Sequence, residues 1–144
     1  MSQENVEIVR QGFEVWEAAW NSGTEDLGAL LALFDDDLVT RRLAPMPDPG
    51  VWHGLEGMLA VVAEWTDTFD EFTMKGEQFI DAGDQVIVRV AQEGRGDDSG
   101  VPVTGTFWFV LGVRDRKVIT FDMYATRAEA LEAVGLSEQD AHST

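Results

Sequence analysis

Two histidines, His53 and His142, and no cysteine are the chain's whole stock of near-neutral proton carriers and soft metal ligands. His53 and Glu56 stand three apart, but the pair straddles a loop and a helix start, so no metal site is expected. The serines fall at positions 2, 22, 99, 137 and 143, all in termini or turns, and none sits in a G-x-S-x-G elbow. There is no P-loop and no G-x-G-x-x-G after a strand. What remains is acid–base chemistry by a carboxylate or histidine without any cofactor, or binding without chemistry.

The charge balance narrows the partners. Against 27 acidic residues stand 10 basic ones, a formal charge of −17. Such a surface repels phosphate backbones and anionic lipids, so neither nucleic acid nor membrane is an expected partner. The acids are scattered rather than blocked, which fits a solvated surface. No apolar run approaches the ~18 residues of a membrane helix. The start MSQENVEIV lacks the basic and apolar regions of a signal peptide, so the expected compartment is the cytoplasm. A chain of 144 residues with 44% hydrophobic content fits one domain, expected over residues 1–136, with residues 137–144 as a frayed tail that holds His142.

The elements that must position any site follow from periodicity. Val6, Val9, Phe13, Trp16 and Trp20 recur at spacings of 3, 4, 3 and 4, one face of a helix that Asn21-Ser-Gly23 stops. A second helix is expected from Thr24, with Leu27, Leu30, Leu31 and Phe34 as its stripe; Asp35–Asp37 would end it, ahead of a short strand over 38–43. Residues 44–50 hold three of the four prolines and read as a loop. Leu55, Met58, Leu59, Val62, Trp65 and Phe69 mark a third helix, with His53 just ahead of it. The pattern then turns to strands. Residues 72–82 and 86–93 flank Gly83-Asp84, whose leading glycine fits a type II′ hairpin. Residues 95–100 form a polar turn, and 101–113 and 117–124 a second hairpin. Thr126-Arg-Ala-Glu129 is a capping box that opens a last short helix closed by Gly135. Helices followed by antiparallel strands predict an α+β domain with helices on one face of the sheet.

This order resembles the nuclear transport factor 2-like superfamily, specifically its SnoaL-like branch. The residues behind the resemblance are NSG at 21–23, LLALFDDD at 30–37, WHGLEG at 52–57, DAGDQVIV at 81–88, RDRKV at 114–118 and RAEALEAVGL at 127–136. It implies a cone: three N-terminal helices packed on a curved antiparallel sheet, with a ligand cavity between and a short C-terminal helix. Members include isomerases, polyketide cyclases, epoxide hydrolases and binding proteins, so the likeness speaks for fold more than for activity.

Site residues follow by matching positions. Where similar steroid isomerases keep an oxyanion tyrosine this chain has Trp16, where they keep the general-base aspartate it has Arg42, and residues 101–113 lack the second oxyanion carboxylate. Where similar epoxide hydrolases keep Arg-x-Asp it has Arg89-Val-Ala91, and Met123 replaces their last aspartate. The comparison implies that Arg89 faces the cavity, and alternation then brings Ala91 and Glu93 with it. A two-residue turn at Asp115-Arg116 would set Trp108 opposite Met123 on the same inner face and send Asp122 outward. The same counting sends Val86, Val88, Val90, Phe107, Phe109, Leu111 and Val113 to the outer face, a strip apolar enough to imply a homodimer through the sheet.

Three functions remain open. The first is a protein that binds a small aromatic or polycyclic molecule, neutral or anionic, through Trp16, Trp20, Arg42, Trp65, Arg89, Trp108 and Met123. The second is a cofactor-free cyclase, isomerase or hydrolase with Glu93 or His53 as the acid–base group. The third is a sheet-mediated interaction domain. The loss of the family's familiar catalytic carboxylates favours the first.

Overall fold

The computed structural model describes residues 2–21, 32–43, 49–66, 69–96 and 102–136. Helix α1 (Ser2–Asn21) forms as its periodicity requires, and Val6, Val9, Phe13 and Trp16 are all buried along one stripe. Burying each such side chain contributes about 1.5–3 kcal/mol. The expected second helix falls outside the described residues except at its end, and there the expectation is corrected. Phe34 and Asp35–Asp37 do not close a helix; they open strand β1 (Phe34–Arg42). The Asp35 carboxylate accepts a hydrogen bond from the Asp37 N–H at 2.9 Å, a local bend that an acidic triplet makes readily.

Strand β2 (Gly50–His53) pairs antiparallel with β1 and leads directly into helix α2 (Gly54–Thr66). Gly50, expected as the last residue of a loop, instead opens this strand. Helix α2 also ends sooner than expected, because Phe69 is the first residue of β3 (Phe69–Ala82) rather than the last of the helical stripe. Strands β4 (Gln85–Gly96), β5 (Pro102–Arg114) and β6 (Lys117–Tyr124) follow, then helix α3 (Arg127–Ala133). The sheet order is β2-β1-β6-β5-β4-β3, antiparallel except for the parallel pair β1–β6. The α+β class holds. Among the described residues, no helix is long and apolar enough to cross a membrane.

Helices α1 and α2 cover the inner face of the sheet, and α3 covers part of the outer one. Close approach of α1 depends on Gly76: a Cβ there would lie 3.0 Å from the Phe13 ring and 2.9 Å from Phe79. The irregularity between Gly76 and Gln78 frees the Gly76 N–H to donate to Glu17 of α1 at 2.7 Å. At the far end, α3 has the cap its sequence announces. Thr126 accepts from the Glu129 N–H at 3.3 Å, and Gly135 adopts φ +77°. Leu136 then donates to the Leu131 carbonyl and Gly135 to that of Glu132, the two bonds of a Schellman end.

The faces of the sheet are decided at the β5–β6 hairpin. Its two-residue turn has positive φ at both Asp115 (52°) and Arg116 (66°), a type I′ geometry. Val113 pairs with Val118, but the next pair is Gly112 with Thr120, so Ile119 is an extra, bulged residue. Counting through the turn without that bulge sets Trp108 against Met123. The observed partners are Trp108 with Tyr124 and Phe109 with Met123. A slip of one residue exchanges the faces of everything beyond it. Val86, Val88, Val90, Phe109, Leu111 and Val113 therefore lie in the core under α1, with Phe107 packed at its margin. The strip expected to join two copies is the inside of one molecule. Ile87, Trp108 and Val110 take the outer face, where Ala130 and Leu131 of α3 cover them.

The bulge is locked by Gly112, whose N–H donates to the Thr120 Oγ1 at 3.0 Å; a Cβ at Gly112 would sit 2.3 Å from that oxygen. Gly112→Ala therefore forces Thr120 off its rotamer and breaks the bond, costing about 1–3 kcal/mol, read as a lowered denaturation midpoint. Arg116→Gly acts the other way. It relieves a left-handed non-glycine residue and gives up only an exposed ion pair to Glu4 at 2.8 Å, so a net gain of about 0.5–1 kcal/mol is expected by urea titration.

Candidate functional site

The inner face is largely apolar, and among the described residues its buried polar side chains are Thr40 and Arg42 of β1 and Gln92 of β4. Alternation along β1 puts Leu38, Thr40 and Arg42 on one side, and all three are buried. Arg42 is only 3% exposed, flanked by Gly50 of β2 and Met123 of β6. Its guanidinium carbon lies 5.1 Å from the centroid of the Trp52 ring, within range of a cation–π contact. Its Nη2 is 3.6 Å from the Glu64 carboxylate on the last turns of α2.

Two glycines seat Trp52. A Cβ at Gly57 would come within 3.0 Å of the Trp52 Cβ, and one at Gly50 within 3.0 Å of its ring. The indole thus extends over Gly50, the strand partner of Arg42. Next to Arg42, Thr40 is fully buried, and its hydroxyl has no hydrogen-bond partner among the described residues. Gln92, farther along the face, donates to the Met74 sulfur at 3.8 Å. Trp16 roofs the centre, packed edge-on to Phe121 at 5.9 Å and to Phe34 at 6.4 Å. Beside it lies a small apolar cleft of about 20 Å³ between Ile8, Phe13, Phe34, Leu111 and Val118, room for about one water and with no polar group to hold it.

Of the residues singled out from sequence, Trp16, Arg42 and Met123 share this inner face. Trp20 and Trp65 lie outside the described side chains. Three others are corrected. Arg89, Glu93 and Trp108 stand on the outer face, because the Ile119 bulge reverses the register that had turned them inward. Arg89 is 47% exposed with its Nε 3.6 Å from Glu77, and Glu93 is exposed to solvent. Trp108 lies under Arg127, whose guanidinium carbon is 5.5 Å from the ring, and Arg127 also donates to Gln78 at 3.3 Å. His53 is exposed too, since alternation along β2 turns it away from the side that Trp52 takes. Trp52 and Glu64 were not singled out. The signal for Trp52 was available in the quoted WHGLEG motif: one of two adjacent strand residues must face in, and the indole is the more apolar.

Asp122 points outward, as the alternation predicts, with Val110 as its strand neighbour. It is 3% exposed and forms a two-pronged pair with Arg41, through Nε at 2.8 Å and through Nη2. The hydrogen bond to Asp122 raises the Arg41 pKa further above its ordinary value. Burial pushes the neighbouring Tyr124 hydroxyl up as well, and the charge on Asp122 adds to that. With both oxygens engaged by a guanidinium, Asp122 is a structural anion that joins β6 to β1. Among the described residues no three histidine, aspartate or glutamate side chains converge as a metal would require.

A family profile described as the SnoaL-like domain matches residues 9–121. No protein with a curated description matches the chain. Solved structures resemble it over nearly their full length. A protein of Catenulispora acidiphila with a ketosteroid isomerase-like fold, in complex with trimethylamine, is 21% identical at a TM-score of 0.65, covering 91% of this chain and 94% of that one. TerC, co-crystallised with polyporic acid, is 19% identical at 0.68 over 91% and 98%. A candidate SnoaL-like polyketide cyclase of Jannaschia sp. CCS1 is 17% identical at 0.70 over 94% of each chain. At these identities the likeness establishes a shared nuclear transport factor 2-like fold.

The Arg41–Asp122 pair is open to a direct test. Arg41→Ala leaves a buried carboxylate without its partner. Because the Arg41 side chain is 45% exposed and water partly screens it, the cost is about 1–3 kcal/mol rather than that of a fully buried pair. Pairing Arg41→Ala with Asp122→Asn in a double-mutant cycle should recover part of that loss, read by chemical denaturation.

Proposed function

The chain belongs to the SnoaL-like domain family, and from that premise we propose that its inner face binds a small aromatic or polycyclic molecule carrying an anionic group. The observation that carries this reading is the Arg42 guanidinium, 3% exposed on an otherwise apolar face, with the Trp52 ring 5.1 Å away. A buried cation costs several kcal/mol unless it is compensated, so a fold keeps one there for a reason. Arginine offers a planar fork that matches a carboxylate, phenolate or enolate, and an indole beside it suits an aromatic ring. The Thr40 hydroxyl, buried two residues away without a partner among the described residues, supports the same reading, because such a group marks a place where a polar atom belongs.

The alternative, a cofactor-free enzyme, draws no support from its two acid–base candidates, since Glu93 and His53 are both exposed and turned away from the inner face. Arg89 likewise drops out of the ligand set. The inner face keeps Trp16, Arg42, Trp52 and Met123. The co-crystal of TerC with polyporic acid, an acid by name, agrees with the class of ligand.

A matched pair of probes, 2-naphthoate and 2-naphthamide, separates charge from shape. Calorimetry and ligand-observed NMR should show the acid binding more tightly than the amide. Arg42→Ala should weaken the acid about 10- to 100-fold, the worth of a hydrogen bond to a charged group, and leave the amide nearly unchanged. Arg89→Ala, on the other face, should change neither. Equal affinity for acid and amide, or an Arg42→Ala protein that holds the acid as well as the parent does, would overturn the reading.

A further inference from the structure

We infer that Glu64 is the site's resident anion: it partners the Arg42 guanidinium while the site is empty, and the anionic group of an arriving ligand takes its place. The inference rests on the reading of Arg42 just given. It begins from an asymmetry in the pair. The Arg42 side chain is 3% exposed and the Glu64 side chain 58%. The arginine cannot return to water without unfolding its surroundings, so it needs a counter-charge at all times. The glutamate is mostly hydrated already and can swing away at little cost in desolvation.

The contact itself is loose. Its 3.6 Å separation is an ion pair rather than the ~2.7–2.9 Å hydrogen bond of a tight charge-assisted contact. Nor does the helix account for an acid at this place. Glu64 lies in the last turn of α2, which carries no basic residue, and the negative end of the helix dipole disfavours a carboxylate there. From there its carboxylate faces the buried charge of Arg42. Meanwhile the Trp52 ring, seated over Gly50, lies 5.1 Å from the guanidinium carbon.

This arrangement makes charge the entry condition. A ligand with a carboxylate, phenolate or enolate can replace Glu64 one for one, and the buried cation stays compensated throughout. A neutral ligand of the same shape leaves the Arg42–Glu64 pair in place and gains only its apolar contacts. Glu64 is therefore a specificity-determining residue that competes with the ligand, and it lowers the affinity for anions while holding the empty protein together.

The test uses the full chain with 2-naphthoate and 2-naphthamide as probes. Glu64→Gln removes the competitor at constant size. It should tighten naphthoate binding about two- to fivefold, the worth of a partly exposed ion pair, with no change for naphthamide. The same variant should lower the melting temperature of the empty protein, and naphthoate should raise it by more than in the parent. Should Glu64→Gln fail to fold, Glu64→Asp keeps the charge but withdraws it by one methylene, and it should shift naphthoate binding in the same direction. Unchanged naphthoate affinity in the folded Glu64 variants, with Arg42→Ala still losing the acid, overturns the role of Glu64 and leaves the anion site standing. No loss in Arg42→Ala, or no naphthoate binding by any of the proteins, overturns the anion site and this inference with it.

Discussion

One extra residue in β6 decides what the molecule keeps inside. Val118 and Phe121 both point into the core although they stand three apart, an odd spacing that a regular strand does not allow. Ile119 is the residue that makes it possible, and the Gly112–Thr120 contact fixes where the extra residue goes. From that point the ladder transmits the choice across the sheet. Phe109 and Leu111 turn inward with Phe121 and Met123, and Val86 and Val88 follow across the β4–β5 register. Without the bulge, Trp108, Arg89 and Glu93 would face α1. Two charged side chains would then meet the stripe of Val9, Phe13 and Trp16, with no partner there to repay their desolvation.

That dependence explains what could and could not be read from sequence. The helical stripe from Val6 to Trp16 was legible because a spacing of 3 and 4 has no competing interpretation. The turn at Gly83 was legible as well: it is the one residue of that loop with positive φ, at +80°, as a leading glycine predicts. The N-cap at Thr126 and the Gly135 closure carry specific side-chain chemistry and were legible, though the Glu129 carboxylate accepts from the Thr126 hydroxyl. Strand faces were another matter. Val86, Ile87 and Val88 are all completely buried, since α1 covers one side of β4 and α3 the other. A strand buried on both faces has no polar alternation to orient it. The only cue was Arg89 and Glu93, whose plain reading is outward. The likeness to epoxide hydrolases points the other way, and only a turn without the bulge agrees with it.

The same strand logic separates the two halves of the candidate site. The inward face of Arg42 was legible because β1 alternates cleanly, with Leu38, Thr40 and Arg42 buried and Arg41 exposed between them. Its partners were not reached. Glu64 comes from a helix whose stripe marks its apolar side and says nothing about which flanking acid leans over the sheet. Trp52 belongs to a strand of four residues, too short for a period to show. Adjacent arginines make the point compactly. Arg41 goes outward to close on Asp122, while Arg42 goes inward to Trp52 and Glu64. Two identical side chains, one residue apart, serve the scaffold and the site respectively.

A buried cation inside so acidic a molecule has a consequence for recognition. With a net charge of −17, the long-range field disfavours the approach of an anion. Attraction must therefore begin at contact. The interior supplies what the surface denies, because the field of Arg42 is felt most strongly where water is excluded, and the Trp52 ring excludes it on one side. Such a site gains little from charge alone and much from charge joined to an apolar body. A simple inorganic anion pays the repulsion and has no rings to bury. An aromatic acid meets the same repulsion and offsets it by leaving water. On the proposed reading, the acidity of the surface and the buried Arg42 act as two parts of one filter: the first would reject bare anions, and the second would favour rings that carry a charge over neutral ones.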